Sequence, residues 1–355
     1  MIVKKINELK WDVFTLEKEF NCTKGIYLPT ETVVDGNIPF ITAKAGNNGL
    51  SRFIGNKTLF EGNCITIEKI KLSAYYQPAT FYCSHDVSVI SNEKINAQNA
   101  HFITAMIMRN GEKYSYGRQA QLNVVKREKT MLPVEENGSI DYQYMTDYVT
   151  VSRKTMYVKY RSFAEKRIEE IGEHVQLSPF ASLDWHPFYI TSVFTKIERG
   201  KRLKKADHIS GNVPYVSSTA LNNGVDGFIQ ASKGTRVFND CISLANSGSV
   251  GSAFYEPFEF VASDHVTHLK TDGFNKWIYL FLTVAIEKQK SNFNFNREIN
   301  DSRVRQMKIM LPVDSENRPD FKYMEQYAKN MMLKKYKQYL AFLDAKENDD
   351  SAPIS

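Results

Sequence analysis

The chain has 355 residues, a formal net charge of +6, and 42% hydrophobic residues. This length is sufficient for two domains that each bury a core, and the 19 Tyr and 22 Phe exclude a disordered protein. The small excess of positive charge permits binding to a polyanion without demanding it.

The sequence carries no signal for a membrane span, a leader peptide or a disulfide framework. No run of about 18 apolar residues occurs, and the N-terminal MIVKKINELKW lacks the apolar core of a signal peptide. The four cysteines form no CxxC pair and the histidines form no HExxH motif, so neither a zinc site nor structural disulfides are expected. We therefore expect a cytoplasmic protein that has no membrane partner.

Residues 1–141 are predicted to form a domain of mostly β-structure. Short runs of β-branched and aromatic residues, bounded by Gly, Asn and Pro, indicate strands. One helix of about a dozen residues is expected late in the domain, at Ala97–Arg109. The predicted strands are Ile38–Thr42, Cys64–Ile67, Phe81–Cys83 and Val87–Ile90.

A long amphipathic helix is predicted next, within residues 142–174. Apolar residues recur at steps of three, four and seven, with no Pro or Gly between them. At ~1.5 Å per residue, Tyr142–Gly172 would span roughly 46 Å, which favours a spacer over an ordinary core helix. The apolar positions are Met145, Val149, Met156, Tyr160, Ala164, Ile168 and Ile171.

The sequence after this helix repeats the sequence before it. Trp11 and Trp185 open the two copies, and the offset between matched residues rises only from 174 to 179 along the chain. Such ordered matches indicate a duplicated domain. The clearest pairs are Asn37-Ile38-Pro39-Phe40 with Asn212-Val213-Pro214-Tyr215, Asn47-Asn48-Gly49 with Asn222-Asn223-Gly224, Met131-Leu132-Pro133-Val134 with Met310-Leu311-Pro312-Val313, and Asp141-x-x-Tyr144-Met145 with Asp320-x-x-Tyr323-Met324.

The predicted fold class is therefore α+β, with two duplicated, mostly-β domains separated by two long antiparallel helices in pseudo-two-fold symmetry. The second domain occupies residues 175–320, the second spacer helix residues 321–346, and a disordered tail residues 347–355. Because both helices carry an apolar stripe, they can pair as a coiled coil. Asp141 and Asp320 precede the helices and are predicted to cap them.

Enzymatic motifs are absent from the sequence. It contains no Asn-Pro-Pro-Tyr of an amino-methyltransferase, no GxGxxG that opens a helix after a strand, and no GxxxxGK[ST]. Pro319-Asp320 leads into the predicted second helix and lacks the acidic-x-Lys of a nuclease strand. We predict no catalytic residue, no metal ligand and no cofactor bound by this chain.

Loop residues of the β-domains are instead candidates for contacts with DNA. The segment 199–205 concentrates cations at a density that suits a row of phosphates, although a solvated charged loop is the alternative. The equivalent segment of the first copy contains Lys24. The candidates of this group are Lys24, Arg199, Lys201, Arg202, Lys204 and Lys205.

The two Asn-Asn-Gly sequences form a second group. Asn and Gly tolerate positive φ, so each sequence predicts a turn, and Asn can in addition read adenine edges. Hydroxyl and cationic residues flank both turns. A turn alone and a turn that contacts DNA stay open as alternatives for Asn47, Asn48, Asn222 and Asn223 with the flanking Thr42, Lys44, Arg52, Ser217 and Ser218.

A third group lies in loops that differ between the copies. The first copy has Glu68-Lys69-Ile70-Lys71-Leu72-Ser73 where the second has Ser247-Gly248-Ser249-Val250-Gly251-Ser252, as expected if one framework holds two different ligands. Tyr116 and Arg118 align with a segment that ends in Arg297. Arg among aromatics can fork onto guanine or phosphate, or stack internally. The candidates are Lys69, Lys71, Tyr116, Arg118, Ser247, Ser249 and Arg297.

With these motifs the chain resembles the specificity subunits of type I and type IIB restriction-modification systems. The shared features are two tandem domains, each with an early Trp, an Ile-Pro-Phe or Val-Pro-Tyr, an Asn-Asn-Gly, a Leu-Pro-Val, and an Asp-x-x-Tyr-Met before a long helix. The resemblance covers residues 9–346. It implies two target-recognition domains that each read one half of a split double-stranded DNA sequence. The helices, at about 25 to 31 residues, are short for type I proteins.

The resemblance also implies partners. Methyltransferase or fused methyltransferase-nuclease subunits would dock on the helices and carry S-adenosylmethionine and Mg, so that adenine methylation and DNA cleavage occur there. We expect a non-catalytic specificity subunit that reads a bipartite, asymmetric DNA target. The alternatives are a tandem protein-binding adaptor, a solitary specificity subunit that exchanges into or blocks such a complex, and an enzyme with an unfamiliar site.

Overall fold

The computed structural model describes residues 3–57, 60–231, 234–294 and 296–351, with Lys205 and residues 347–351 described by their backbone alone. The chain divides into two compact units, residues 1–160 and 161–355. Both units are rich in short strands, and the long helices begin where the β-structure of each copy ends. The predicted mixed class of two β-rich domains with long helices is confirmed.

Unit 1 arranges its strands in three sheets. Its elements are β1 (Trp11–Thr15), α1 (Leu16–Glu19), β2 (Asn21–Lys24), β3 (Ile38–Ile41), β4 (Leu50–Ile54), β5 (Cys64–Glu68), β6 (Ala74–Gln77), β7 (Tyr82–Cys83), β8 (Val87–Ser91), α2 (Ala97–Met108), α3 (Leu122–Arg127), β9 (Lys129–Pro133) and the start of α4 (Tyr142–Ile171). A four-stranded antiparallel sheet has the order β2-β8-β5-β6, a three-stranded sheet has the order β4-β3-β7, and β1 pairs with β9.

The core of unit 1 lies on both faces of its four-stranded sheet. Strand β5 reads Cys-Ile-Thr-Ile-Glu, and all of its residues are buried. On one face Ile65 and Ile67 share a cluster with Ile103 of α2, and on the other Cys64 packs with Phe81. Because both faces of β5 are covered, its polar residues Thr66 and Glu68 are buried together with Ile65 and Ile67.

Unit 2 repeats this construction. After the last turns of α4, its elements are β10 (Trp185–Tyr189), α5 (Ile190–Val193), β11 (Lys196–Arg199), β12 (Ser210–Val216), β13 (Val225–Ile229), β14 (Val237–Phe238), β15 (Cys241–Ala245), β16 (Ala253–Glu256), β17 (Phe260–Ala262), β18 (Val266–Lys270), α6 (Lys276–Glu287), α7 (Asp301–Gln306), β19 (Lys308–Pro312) and α8 (Phe321–Ser351). Its sheets have the orders β11-β18-β15-β16 and β13-β12-β17-β14, and β10 pairs with β19.

Matched residues keep matched registers in the two units. Trp11 lies opposite Pro133, and Trp185 lies opposite Pro312, in the two-stranded sheets. Cys64 lies opposite Gln77 in the first hairpin, and Cys241 opposite Glu256 in the second. The duplication inferred from the sequence is therefore a duplication of strand pairing.

The segment before each Trp belongs to the repeat as well. The indole Nε1 of Trp11 donates to the Ile6 carbonyl at 3.3 Å, and that of Trp185 donates to the Phe180 carbonyl at 3.2 Å. The hydroxyl of Tyr144 likewise donates to the carbonyl of Lys4 at 3.0 Å, as Tyr323 does to that of Ser178 at 2.8 Å. The sequence comparison missed this part of each copy because backbone acceptors set no requirement on residue type.

Asp141 and Asp320 cap the two long helices. The Oδ1 atom of Asp141 accepts from the Tyr144 amide at 2.7 Å, and that of Asp320 accepts from the Tyr323 amide at 2.9 Å. Each bond satisfies an amide that has no acceptor inside its own helix. The predicted capping role is thus confirmed.

The ends of the long helices agree only partly with prediction. Helix α4 ends at Ile171, and Gly172 follows with a φ of 85°, a usual conformation for the residue after a helix. Helix α8 continues to Ser351, beyond the predicted end at 346. The predicted disordered tail is therefore helical as far as Ser351, because no helix-breaking residue precedes Pro353. Residues 352–355 lie outside the described residues.

The apolar stripe of α4 is buried near both ends of the helix and exposed in its middle. Met145 and Ala164 are fully buried, whereas Met156 is 68% exposed. In unit 2, residues 161–171 of α4 run antiparallel to α8, with Arg161 Nη2 at 2.6 Å from Asp344 Oδ1 and Phe163 ring-to-ring with Tyr336 at 6.3 Å. Burial of the predicted stripe of α4 is therefore interrupted at Met156, and pairing of the two helices as a coiled coil stays a prediction.

Candidate nucleic-acid interface

Four loops of unit 1 meet through direct hydrogen bonds and form one surface, which we call the loop surface of that unit. They are the β3–β4, β5–β6 and β7–β8 loops and the segment before α3. The Ser84 amide donates to the Ile41 carbonyl at 2.9 Å, and the Ala120 amide donates to the Lys69 carbonyl at 2.7 Å. Lys69 Nζ binds Asp86 Oδ1 at 2.7 Å. Candidates that are distant in sequence are thus brought together.

Unit 2 has a loop surface built by equivalent bonds. The Ser263 amide donates to the Val216 carbonyl at 2.9 Å, and the Asn246 amide donates to the His265 carbonyl at 2.8 Å. The Ile299 amide donates to the Asn246 carbonyl at 2.9 Å. Because these bonds use backbone groups, the loops keep their positions while their side chains differ.

Glycine brings the predicted cationic segment to each loop surface. A Cβ atom on Gly25 would lie 2.0 Å from the Ser84 carbonyl oxygen, and one on Gly200 would lie 2.2 Å from that of Ser263. No side chain fits at these distances. Lys24 therefore passes directly beside the β7–β8 loop, and Lys201 directly beside the β17–β18 loop.

The two Asn-Asn-Gly sequences form left-handed turns. The φ angles are 49°, 54° and 74° for Asn47, Asn48 and Gly49, and 50°, 53° and 81° for Asn222, Asn223 and Gly224. Asn and Gly are the residues that adopt this conformation at least cost. The predicted turns are confirmed, and a contact with DNA stays a prediction.

In unit 1 the turn is fixed by side-chain amides. Asn48 Nδ2 donates to the Tyr76 carbonyl at 3.0 Å, and Asn47 Nδ2 donates to the Leu50 carbonyl at 3.4 Å. Both Asn side chains are nevertheless exposed, as are those of Asn222 and Asn223.

Most of the predicted cations are exposed, on strands β2 and β4 for Lys24 and Arg52 and on loops for the others. Lys44 also bonds the Leu50 carbonyl at 3.5 Å through Nζ. The Lys205 side chain is outside the described residues. The exposed cations are Lys24, Lys44, Arg52, Lys71, Arg118, Lys201, Arg202, Lys204 and Arg297.

Two predicted cations are engaged inside the protein. Lys69 is paired with Asp86, and its side chain is only 18% exposed. Arg199 Nε and Nη2 lie 2.8 and 3.1 Å from the Asn246 side-chain oxygen when that amide is oriented to face the guanidinium, and Nε lies 3.6 Å from Asp301. These partners show that Lys69 and Arg199 hold loops together in this structure, and their contact with phosphate stays a prediction.

The Ser and Thr residues predicted to contact DNA differ in their burial. Thr42, Ser217, Ser218 and Ser249 are half-buried on the loops, whereas Ser247 is buried, so its hydroxyl cannot reach a ligand without a rearrangement. The sequence could not separate Ser247 from Ser249, because both lie in the same Ser-Gly stretch.

Tyr116 and Arg118 lie on a two-residue turn of unit 1. The amides and carbonyls of Ser115 and Arg118 bond each other at 3.0 and 3.1 Å, and Tyr116 is 81% exposed at the tip. In unit 2 the guanidinium of Arg297 lies 5.9 Å from the centre of the Phe293 ring. An exposed aromatic and an exposed Arg at one tip are suited to stacking and to forked hydrogen bonds.

A cleft of about 720 Å³ with an apolar lining also lies in unit 2, between α6, β19 and α8. Trp185, Phe281, Val284, Met310 and Met331 line it, and Val284 is 56% exposed. This cleft lies apart from the predicted cations. Its chemistry suits an apolar partner surface.

A second cleft, of about 690 Å³, contains residues that sequence reasoning missed. Arg202, Lys204, Ser217 and Ser218 line it together with His208, Asp226 and Asp264. The Nε2 atom of His208 is buried and has no hydrogen-bond partner among the described residues. Burial first, and the charges of Asp264 and Asp226 next, raise the pKa of Tyr215 in this cleft.

One sequence signal could have found Asp264. The β7–β8 loop reads Ser84-His85-Asp86 and the β17–β18 loop reads Ser263-Asp264-His265, so the His and Asp are exchanged within a matched framework. No comparable signal points to His208, which lies in a segment without a matched partner.

The described residues offer neither a metal site nor a helix that could span a membrane. Among them, no group of three His, Cys, Asp or Glu side chains could hold a metal ion. None of the described helices is long and apolar enough to cross a membrane.

Comparison with known proteins identifies the family. The model of the type I restriction modification DNA specificity domain matches twice, at residues 8–156 and 182–340. The chain belongs to this family. Its members are specificity subunits, and the prediction of a restriction-modification specificity subunit that is not an enzyme is confirmed.

Two relatives agree with this membership over nearly the whole chain. The specificity subunit S.BcgI of a type II restriction enzyme from Heyndrickxia coagulans is 28% identical over 340 residues, which cover 92% of this chain and 95% of that protein. The crystal structure of the S subunit of a type I restriction-modification system from M. genitalium superimposes with a TM-score of 0.53 at 15% identity, covering 98% of this chain and 96% of that one. At 15% identity, the similarity to the M. genitalium S subunit supports the fold alone.

Proposed function

We propose that this specificity subunit reads a bipartite, asymmetric double-stranded DNA target, with one domain for each half-site. The observation that carries the proposal is the pair of loop surfaces, which share backbone bonds and differ in side chains. Lys71 stands in one β-hairpin loop where the other has Ser-Gly residues, and His85 stands where the other has Asp264. Different base-reading groups on one framework favour two different half-sites.

The electrostatics of the loops are suited to a DNA backbone. Lys24, Lys44, Arg52 and Arg118 are exposed on unit 1, and Lys201, Arg202 and Lys204 are exposed on unit 2. Cations of this kind fix the position of a protein on the phosphates, and polar groups between them read base edges. The turn residues Asn48 and Asn223 are proposed to take part in reading.

The two long helices are proposed to set the gap between half-sites. Their lengths are 30 residues for α4 and 31 for α8, which correspond to roughly 45 Å each at ~1.5 Å per residue. A stiff connection between two readers predicts one fixed separation of the sequences that they read.

The catalytic partners are proposed to be methyltransferase or fused methyltransferase-nuclease subunits. S.BcgI is the specificity subunit of a type II restriction enzyme, and the likeness to it favours a similar assembly here. S-adenosylmethionine and Mg would be bound by those partners in the cytoplasm, where DNA is accessible. The apolar cleft beside α8 is proposed as part of the docking surface, because Val284, Met310 and Met331 leave apolar area exposed there.

The same cleft favours a second candidate function, a tandem adaptor that binds proteins alone or a solitary subunit that exchanges into such a complex. Salt separates the candidates. Binding led by phosphate contacts weakens steeply as ionic strength rises, whereas an apolar protein interface does not. If the affinity for a protein partner does not change with salt concentration and the chain does not bind DNA, the adaptor is favoured.

The decisive experiment is a selection from randomised DNA duplexes by the full chain, alone and with its methyltransferase partner. We expect two different sequence blocks with a fixed gap. A palindrome, or one continuous block, would contradict the proposal. Chains with the loop substitutions described in the Discussion provide matched controls.

A further inference from the structure

Gln77 and Glu256 occupy the same position in the two units. Each ends the second strand of its hairpin, opposite Cys64 and Cys241 respectively. Both side chains are buried, with exposures of 4% for Gln77 and 0% for Glu256. The same buried position next to the left-handed turn thus holds a neutral amide in unit 1 and an acid in unit 2.

Gln77 holds the turn of unit 1. Its Nε2 atom donates to the Asn48 carbonyl at 3.1 Å and to Thr66 Oγ1 at 2.9 Å. The carbonyl in the middle of the turn is thereby paired, although no strand partner reaches it. Removing such a donor would leave the part-buried Asn48 carbonyl without this bond.

The turn of unit 2 rests on its hairpin in the same way. A Cβ atom on Gly224 would lie 3.6 Å from the Phe254 ring, and one on Gly49 would lie 3.6 Å from the Tyr75 ring. The Ser243 hydroxyl lies 2.8 Å from Glu256 Oε1, in the place where Thr66 meets Gln77. The remaining oxygen, Oε2, is buried and has no hydrogen-bond partner among the described residues.

The groups around Glu256 do not stabilise a charge on it. Strand β15 contributes the Cys241 thiol, and burial raises its pKa to about 12. Beside Glu256 on β16, the Tyr255 hydroxyl donates to Asp240 at 2.7 Å, and on α6 the Tyr279 hydroxyl donates to the Thr271 carbonyl at 3.0 Å.

Cations and the turn itself supply no compensation either. Lys270, whose charge reaches Cys241, binds the Asn239 carbonyl at 2.9 Å. The turn contributes Asn222 and Asn223, which do not titrate. Burial therefore raises the pKa of Glu256 to about 7, against the lowering effect of the Ser243 hydroxyl.

We propose that Glu256 is a positioning residue that holds the Asn222–Gly224 turn only while it carries its proton. The carboxyl proton supplies the donor that the Gln77 amide supplies in unit 1. When the proton leaves to solvent, Oε2 becomes a buried carboxylate oxygen with no donor among the described residues, because the Ser243 hydroxyl serves only Oε1, and the turn loosens. This inference rests on the proposed function only in that the turn belongs to a reading surface, so that reading of the second half-site depends on pH through its turn and reading of the first half-site does not depend on pH through its turn.

Amide hydrogen exchange of the full chain tests the proposal without DNA. Between about pH 6 and about pH 8.5, and after correction for intrinsic exchange, we expect residues 221–225 to lose protection at least about tenfold. Residues 46–50 should keep their protection. Glu256→Gln should remove the pH dependence, and Gln77→Glu should create it at residues 46–50.

Glu259→Gln provides the matched control, because Glu259 is exposed three positions away and its replacement should leave the pH dependence intact. Equal exchange at both pH values in the wild-type chain, or the same pH dependence in Glu256→Gln, would overturn the proposal. Selection from randomised duplexes at the two pH values adds the functional readout. If the exchange behaves as expected and no DNA is bound, the proposed function fails and this inference stands.

Discussion

His85 and Asp264 occupy matched positions in the β7–β8 and β17–β18 loops, so one loop surface presents an imidazole where the other presents a carboxylate. His85 Nε2 lies 3.3 Å from Asp86, and its ring packs edge-on against Tyr27 at 5.2 Å. Asp264 lies in the cleft that contains Arg202 and Ser217. A carboxylate accepts from cytosine N4, whereas an imidazole can donate to guanine, so this exchange is suited to distinguishing the half-sites.

Exchange of these two side chains should alter one base preference at a time. Asp264→His is expected to change the preferred base at one position of the second half-site, by roughly 5- to 150-fold for a contact of about 1–3 kcal/mol. His85→Asp should do the same in the first half-site only. Selection from randomised duplexes measures both. Loss of affinity for all sequences, with no new preference, would show that these residues support the loops and do not read bases.

Lys201 and Arg202 are expected to contact phosphates. Replacing either by Ala should weaken binding to specific and unrelated duplexes alike, and should reduce the slope of log K against log salt by about 1. Titrations of fluorescent duplexes at several salt concentrations give this slope. Lys196→Ala is the control, since Lys196 lies at the opposite end of β11 and is paired with Asp272 at 2.8 Å. An unchanged slope in both loop variants would place the phosphates elsewhere.

Glu256 should also make the free energy of unfolding depend on pH. Its pKa is about 7 in the folded chain and near 4.5 when unfolded, so its contribution is fully present below about pH 4.5 and is lost as pH rises towards 7. Relative to Glu256→Gln, the wild-type chain should lose roughly 3 kcal/mol over this range and no more above it. Urea unfolding at stepped pH values measures the difference. A constant difference would mean that Glu256 stays ionised.

The sequence predicted the duplicated framework well because framework residues repeat with it. Strand β5, the helix α2 and the caps Asp141 and Asp320 lie within one residue of the predicted places. Each depends on local pattern or on a residue type that both copies need. Because the domain is duplicated, each pattern occurs twice in the chain, and the second copy tests the prediction made from the first.

The loop contacts could not be predicted in the same way. That Lys69 and Arg199 are used inside the protein depends on Asp86 and Asn246, which lie 17 and 47 positions away in the chain. Composition shows a cation but not its partner. The importance of Glu256 could not be predicted either. The replacement of Gln77 by an acid in the second copy is an ordinary exchange of polar residues until the burial of Glu256 is known.

Shortening both long helices should change the gap between half-sites and preserve the half-sites themselves. Deletion of seven residues from each helix removes about two turns, or roughly 10 Å, so the apolar face is nearly retained and the preferred gap should shorten by about three base pairs. Selection from duplexes that hold both half-sites at varied spacing measures the gap, and circular dichroism checks that helix content falls only by the residues removed. The Asp141 and Asp320 caps stay in place in these variants, so the start of each helix is unaltered. If the half-sites changed while the preferred gap stayed the same, the helices would not be the spacer.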